Sequence, residues 1–373
     1  MTSRQEIALP LFYSRVHICT ITSVEIFTSH LYDADQKWDS IRRIPYSTPG
    51  RWVQQLNLSS LPFTSQSEAF LLDSLLTRLF PLIPFLVQFA LNPSFVLSRR
   101  AILALANQDG SSNLRRLTGI SYKPSLDSPM TDANDVLVQL LASCSGLEEL
   151  EIIGPGLDST NLEHSDSSTD EGDPLPATFK PLNLPRLHTM TLFSLHSSPL
   201  MFALIHSSLP ALRKLRVTPY DDIPYPASLV SQLIAVHGSS LRSLLLETPK
   251  SWPTRLHPSP NTLLHTCPNL FHLSLENPLP ILSMPSDDRA IKQHPLRILS
   301  IPRPQADYWR ILESYIPHFP NLTVVRAREV RWLRRGMTLH AQGAGVQGVM
   351  REWRRRLAHR GITVLDADWN ECE

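Results

Sequence analysis

The sequence has no CxxC pair, little glycine, no excess of either charge, and no long uncharged run that is free of proline. Cys19, Cys144, Cys267 and Cys372 stand far apart, which excludes zinc-ribbon spacing and a thioredoxin-like motif. Four cysteines are also too few for a disulfide framework in a chain of this length, so thiols in a reducing compartment, cytoplasmic or nuclear, are expected. Glycine is 13 of 373 residues, about half its usual share, which argues against a fold built on glycine-dependent turns. Thirty-five Lys and Arg meet thirty-four Asp and Glu, so no global field draws in nucleic acid or an anionic membrane. Leu79–Ser98 carries no charge and has the length of a membrane span. It holds Pro81, Pro84 and Pro93, each of which breaks a helical hydrogen bond, so a helix end, a strand and a loop are expected and no membrane contact. Arg4, Glu6 and Arg15 interrupt the N-terminal segment, and no signal peptide is expected. HExxH, GxSxG, a Walker loop and any Cys/His cluster are all missing, so no enzyme, cofactor or metal is expected.

Leucine and proline are abundant: about 60 Leu and 32 Pro. A block of the form apolar-x-x-apolar-x-apolar recurs from Val53, Leu86, Leu114, Leu147, Leu187, Leu212, Leu241, Leu270, Leu296 and Leu322. The successive gaps are 33, 28, 33, 40, 25, 29, 29, 26 and 26 residues. Proline stands two residues before the block at Pro84, Pro185, Pro210, Pro268 and Pro320. Alternation at the end of the block has the period of a half-buried strand. Helical spacing lies between blocks at Leu72, Leu75, Leu76 and Leu79, at Val136, Leu137, Leu140 and Leu141, at Leu229, Val230, Leu233 and Ile234, and at Tyr308, Leu312 and Tyr315. One strand and one helix per unit, always in that order, predict an α/β leucine-rich-repeat solenoid: an irregular horseshoe with parallel strands on the concave face and helices on the convex face. Upstream proline ends the helix and sets an extended approach to the strand.

In this register the fourth and sixth block positions point into the core, with Leu215, Leu244, Leu273 and Leu299 among them, and the third and fifth point to the concave face. A protein target is expected there, on Gln55, Asn57, Glu149, Glu151, Lys214, Arg216, His272 and Arg326, with Thr189, Thr191, Ser243 and Ser274 beside them. The 40-residue gap contains Leu157–Asp173, which has six acids, six Ser or Thr and no base, so a disordered acidic insert is expected at about 157–177. Thr160, Ser167 and Ser168 in it each have an acid three residues on. Two features compete with this reading. Gly343–Gly348 (GAGVQG) is a literal GxGxxG with Asp366 beyond it, but a polar stretch precedes it, so a loop, a last helix packing Val349, Trp353 and Leu357, and a last strand at Ile362–Leu365 are expected. Ten Arg and two Glu lie between Arg326 and Arg360, with Trp332 and Trp353 among them. That region supports a second reading, a basic RNA-associated scaffold with Trp stacking on bases, although nucleic acid is not the expected partner.

The segments IALPLFYSRVHI (residues 7 to 18) and TPGRWVQQLNLSSL (residues 48 to 61), with the CPNL and LPAL approaches to the repeats, resemble F-box/leucine-rich-repeat proteins of mushroom-forming fungi. The resemblance implies the substrate receptor of an SCF-type ubiquitin ligase, in which the F-box binds a Skp1-type adaptor and the repeats capture a target. Only the tail of an F-box has a counterpart here, before residue 20, so adaptor binding is expected only with an F-box restored upstream. Residues 1–45 are then an N-terminal cap, with Leu11, Phe12, Val16 and Ile18 buried against the first repeat. Residues 46–373 are the solenoid, ending in a basic capping region at about 326–373.

Overall fold

Each of the ten leucine-rich blocks forms a strand over its last positions, as the alternation requires. The computed structural model describes residues 10–37, 49–123, 135–154, 181–195, 198–219, 229–248, 261–283, 294–305, 307–333 and 345–372. The acidic insert lies outside the described residues. The chain divides into two units, Met1–Leu212 and Arg213–Glu373.

Among the described residues the first unit has six strands: β1 (Arg15–His17), β2 (Gln55–Leu58), β3 (Gln88–Leu91), β4 (Arg116–Ser121), β5 (Glu149–Ile153) and β6 (Thr189–Phe193). They pair in parallel and in chain order. Helices α1 (Ile21–Gln36), α2 (Gln66–Leu79), α3 (Arg99–Ala106), α4 (Val136–Ser143) and α5 (Pro199–His206) alternate with them and touch one another in sequence. The second unit repeats the scheme with β7 (Lys214–Val217), β8 (Ser243–Leu246), β9 (His272–Ser274), β10 (Ile298–Ile301), β11 (Val324–Ala327) and β12 (Thr363–Leu365). These also pair in parallel and in chain order. Its helices are α6 (Leu229–His237), α7 (Leu263–Thr266), α8 (Tyr308–Tyr315) and α9 (Gly345–Ala358). Each unit is therefore an α/β repeat built on a parallel sheet.

Two backbone devices fix the register. The first block residue donates its N–H to the carbonyl three residues back, closing a turn: Leu86 to Ile83, Leu212 to Leu209, Leu270 to Cys267 and Leu322 to Phe319. The upstream prolines occupy the second position of these turns, where a fixed φ suits them. Proline thus shapes a turn after the helix rather than an extended approach. The carbonyl of the second block residue then accepts two N–H groups from the next block: Arg213 from Arg242 and Ser243, and Arg242 from Phe271 and His272. Below these, the fourth and sixth positions are buried, Leu215, Leu244, Leu273 and Leu299 fully so.

The copy at Leu114 departs from this scheme and has glycine in the sixth position. Gly119 has φ +70°, and a Cβ on it would meet the Leu91 carbonyl oxygen at 1.9 Å. The register shifts between Leu117 and Ile120, so Ile120 takes the core place.

Helix starts follow capping chemistry. Thr20, Ser65, Ser98, Asp135 and Ser198 each accept an N–H from the first turn of α1 to α5 through the side-chain oxygen. The spaced apolar and aromatic residues of α2, α6 and α8 face inward as their periodicity predicts. In α4 Val138 is buried and Val136 only half so, and in α9 the inward residue is Met350 rather than Val349. Among the described residues no helix is long and apolar enough to cross a membrane. The uncharged run from Leu79 forms the end of α2, a 3₁₀ turn at Phe80–Leu82 and β3.

The N-terminal segment differs most from expectation. Ile18 is buried and Val16 half-buried, but Leu11 and Phe12 are 71% and 78% exposed. The edge is covered instead by α1, whose Val24, Thr28 and Leu31 lie inward at i, i+4 and i+7.

Candidate functional site

The third and fifth block positions form two rows across each sheet. In the first unit the third-position row runs Arg15, Gln55, Gln88, Arg116, Glu149 and Thr189. Gln55, Asn57, Glu149 and Glu151 are half-buried along it and the fifth-position row. Glu149 pairs with Arg116 at 3.4 Å, and Glu148 one residue earlier pairs with Arg115 at 3.0 Å. Asn57 turns back on its own chain: its Oδ1 accepts from Ser59 N–H at 3.0 Å and from the Ser59 hydroxyl at 2.7 Å. It closes a local turn and leaves less of its amide for a partner. Thr191, expected outward, is buried.

The second unit has the denser polar face. Its third-position row is Lys214, Ser243, His272, Ile298, Val324 and Thr363, and its fifth-position row is Arg216, Leu245, Ser274, Ser300, Arg326 and Leu365. Lys214 is exposed, while Arg216, His272 and Arg326 are half-buried. Ser274, expected outward, is fully buried, as is Ser300. The short serines lie low between long neighbours, and the His272 ring leans across them, with Nε2 2.8 Å from Ser300 Oγ. Burial, then the charges of Arg326, Lys214 and Arg328, pull the imidazole down to about 4, against Glu247. The Ser300 hydroxyl is not open to an acyl group.

Four residues outside the two rows organise this face. Arg216 Nε and Nη2 both donate to Glu247 Oε2, at 2.8 and 2.5 Å. Arg328, at the seventh block position, spans strands: Nη1 donates to the Leu246 carbonyl at 3.1 Å and Nη2 to the Leu275 carbonyl at 2.5 Å. Its Nη1 also lies 3.8 Å from Glu247 Oε1. Burial lowers the pKa of this guanidinium, and the carboxylates of Glu247, Glu329 and Glu276 oppose that. Beyond β12 the chain turns back over the face. Asp366 Oδ1 accepts the N–H groups of Asp368 and Asn370 at 2.9 and 2.8 Å, and Oδ2 accepts that of Trp332 at 3.1 Å. Trp369, at φ +64°, is thereby held over Arg326 with the guanidinium carbon 4.2 Å from its ring centre, edge-on to His272. Arg326 donates to the Ala367 carbonyl at 2.5 Å. The acid that imitates a dinucleotide fingerprint is thus the hub of a loop, and Gly345 begins α9 with φ +56°. Gly343, before it, lies outside the described residues.

Sequence reasoning missed Glu247, Arg328, Asp366 and Trp369. Acid at the seventh position in two successive blocks and arginine two blocks later was a usable signal for Glu247, Glu276 and Arg328. The return of the C-terminal loop has no periodic signal.

The basic C-terminal region has largely internal partners. Arg331 pairs with Asp368 at 2.7 Å, Arg354 with Glu371 at 3.9 Å, and Arg355 and Arg356 both with Glu352 at 2.6 Å. Arg356 also stacks on Trp309 at 4.9 Å. Trp353 is buried and not open to a base, while Trp332 is half-buried and its Nε1 donates to the Asn370 carbonyl. Burial pushes the Cys144 and Cys267 thiols up to about 11 and about 12, and no disulfide joins the four cysteines. The sheet face of the second unit, with its fixed arginines and the Trp369 indole, is therefore the candidate site. A scan of family models matches none to this chain, and a search of curated proteins returns no match.

Proposed function

We propose that the chain is a non-enzymatic protein-recognition module of the leucine-rich-repeat type, resembling the target-capturing part of an SCF-type ubiquitin-ligase receptor. The carrying observation is the Arg326–Trp369 pair on the strand face of the second unit. Its guanidinium is held by a backbone carbonyl, and the indole stays 45% exposed. Trp and Arg are the side chains that dominate protein interfaces, and holding them rigid before binding removes an entropic cost. Lys214 and the Arg216–Glu247 pair extend that surface with charge. The internal pairing of the C-terminal arginines argues against the RNA-scaffold reading.

Site-specific photo-crosslinking tests the proposal. A photoreactive residue at Gln55, Glu149, Lys214 or Trp369 should give discrete protein adducts in cells. The same residue at Arg78 or Glu313, on the helices, should give few. Equal yields from helices and strands, or RNA as the main adduct, would reject it.

A further inference from the structure

The second unit carries an open groove of about 980 Å³ at the N-terminal edge of its strands. Arg213 and Arg242 project from the second block position of successive strands, and Phe271 and Arg297 continue that series. Ser240 and Asn269, from the turns before the strands, are on the wall. All four members of the series are exposed. Among the described residues the lining contains no Asp or Glu. Arg242 and Arg297 have no acidic partner among the described residues. Two of the arginines are already placed: Arg213 Nη1 donates to the Ser240 carbonyl at 3.1 Å, and the Arg297 guanidinium lies 5.3 Å from the centre of the Phe271 ring.

We infer that this groove and its rim bind an extended acidic protein segment, with carboxylates on Arg213 and Arg242 in the groove and on Arg297 beside it, and one apolar side chain on Phe271. The inference deepens the recognition reading above and rests on it. Charge complementarity sets the partner's sign, and size sets its length. Three strand steps separate Arg213 from Arg297, about 14 Å, which an extended peptide covers in about four or five residues. Guanidinium groups fit carboxylates two bonds at a time, and a fork stacked on an aromatic ring loses less freedom when it binds. A nucleic acid fits less well. Three cations release few counterions, whereas strong phosphate binding gathers roughly six to ten such contacts.

The test is fluorescence anisotropy of a labelled octaglutamate peptide titrated with the full chain. Saturable binding that weakens as salt rises is expected, and at least tenfold weaker binding for R242E/R297E. R99E/R100E, an equal charge reversal on α3, should bind as the parent does. R242Q and R297Q, each a milder change at an exposed site, should each weaken binding severalfold with an unaltered circular dichroism spectrum. Unsaturable binding, equal binding by R242E/R297E, or tighter binding of an octauridylate than of octaglutamate overturns the inference. If octaglutamate fails while strand-face crosslinks to protein persist, the acidic partner is wrong and the recognition reading stands. If the crosslinks fail as well, both go.

Discussion

Replacing Arg328 by methionine should destabilise the second unit by about 2–4 kcal/mol. The arginine side chain is only 12% exposed, and its two donated bonds end on carbonyls of neighbouring blocks, Leu246 at the end of β8 and Leu275 just past β9. A hydrogen bond from a charged donor contributes about 1.5–3 kcal/mol, so the two together give roughly 3–6. Burial of the guanidinium, which lowers its pKa, offsets part of that, and methionine refills the volume of the stem. Glu247 is not stranded, because Arg216 still holds it through two bonds. Lysine at the same position keeps the charge, but its donors sit on one compact nitrogen at the end of a different stem rather than on a planar fork, so it reproduces only part of the bonding to the two carbonyls. Its loss should therefore be near half that of methionine. Urea unfolding followed by tryptophan emission measures both, with Trp309, Trp332, Trp353 and Trp369 all in this unit. A shift of the midpoint at constant slope is expected. A loss below about 0.5 kcal/mol for R328M, or lysine as damaging as methionine, would refute the bridging role.

Other consequences are open to measurement. Leu273→Ala, at a fully buried position, should cost about 2–5 kcal/mol, and a cost within experimental error would mean that the block register is misread. D366A removes the acceptor of three N–H groups and should shift Trp369 emission and destabilise by about 1–3 kcal/mol; an unchanged spectrum would contradict the hub role. His272 is held neutral in the folded chain down to about pH 4, whereas the unfolded chain takes up that proton near 6.5. The stability it contributes is thus complete above pH 6.5 and fades as the pH falls from there toward 4, by about 1–2 kcal/mol after allowance for partial exposure. H272Q should flatten stability across that window, and a slope equal to the parent's would count against it. Among the described residues Arg15–His17 pairs with a strand on one side only, so its amides should exchange before those of Gln88–Leu91, as hydrogen-exchange mass spectrometry can show.

The strands were legible because a stacked repeat must bury the same positions each time, and leucine at one, four and six repeats that demand. The outward positions were legible as places but not as chemistry. Lys214, Arg216, His272 and Arg326 lie on the face as the alternation requires, yet the state of three of them depends on residues the alternation does not reach. Glu247 and Arg328 stand one place past the block, and Trp369 arrives by a loop. Ser274 failed as an outward residue because its side chain is short among long neighbours, which alternation cannot report. At the N-terminus the three residues of β1 are too few to show a period. The inward spacing of Val24, Thr28 and Leu31 in α1 was present, but two polar-flanked residues and one threonine make a faint stripe. Leu11 and Phe12 were misjudged because hydrophobicity alone does not tell a core residue from an exposed one.

The carbonyl that accepts two N–H groups from the following block has a consequence for how such a chain can change length. It ties block to block at one fixed place, so the spatial count restarts at every strand. Whatever lies between two ties is free to differ, and block spacings within the two units run from 26 to 40 residues without disturbing the pairing of β2 through β6 or of β7 through β11. An insertion between blocks is therefore a local event, while one residue added inside a block exchanges its inner and outer faces. Gly119 and its bulge are the one place where the described chain absorbs such an extra residue. It does so with a backbone conformation that side chains resist.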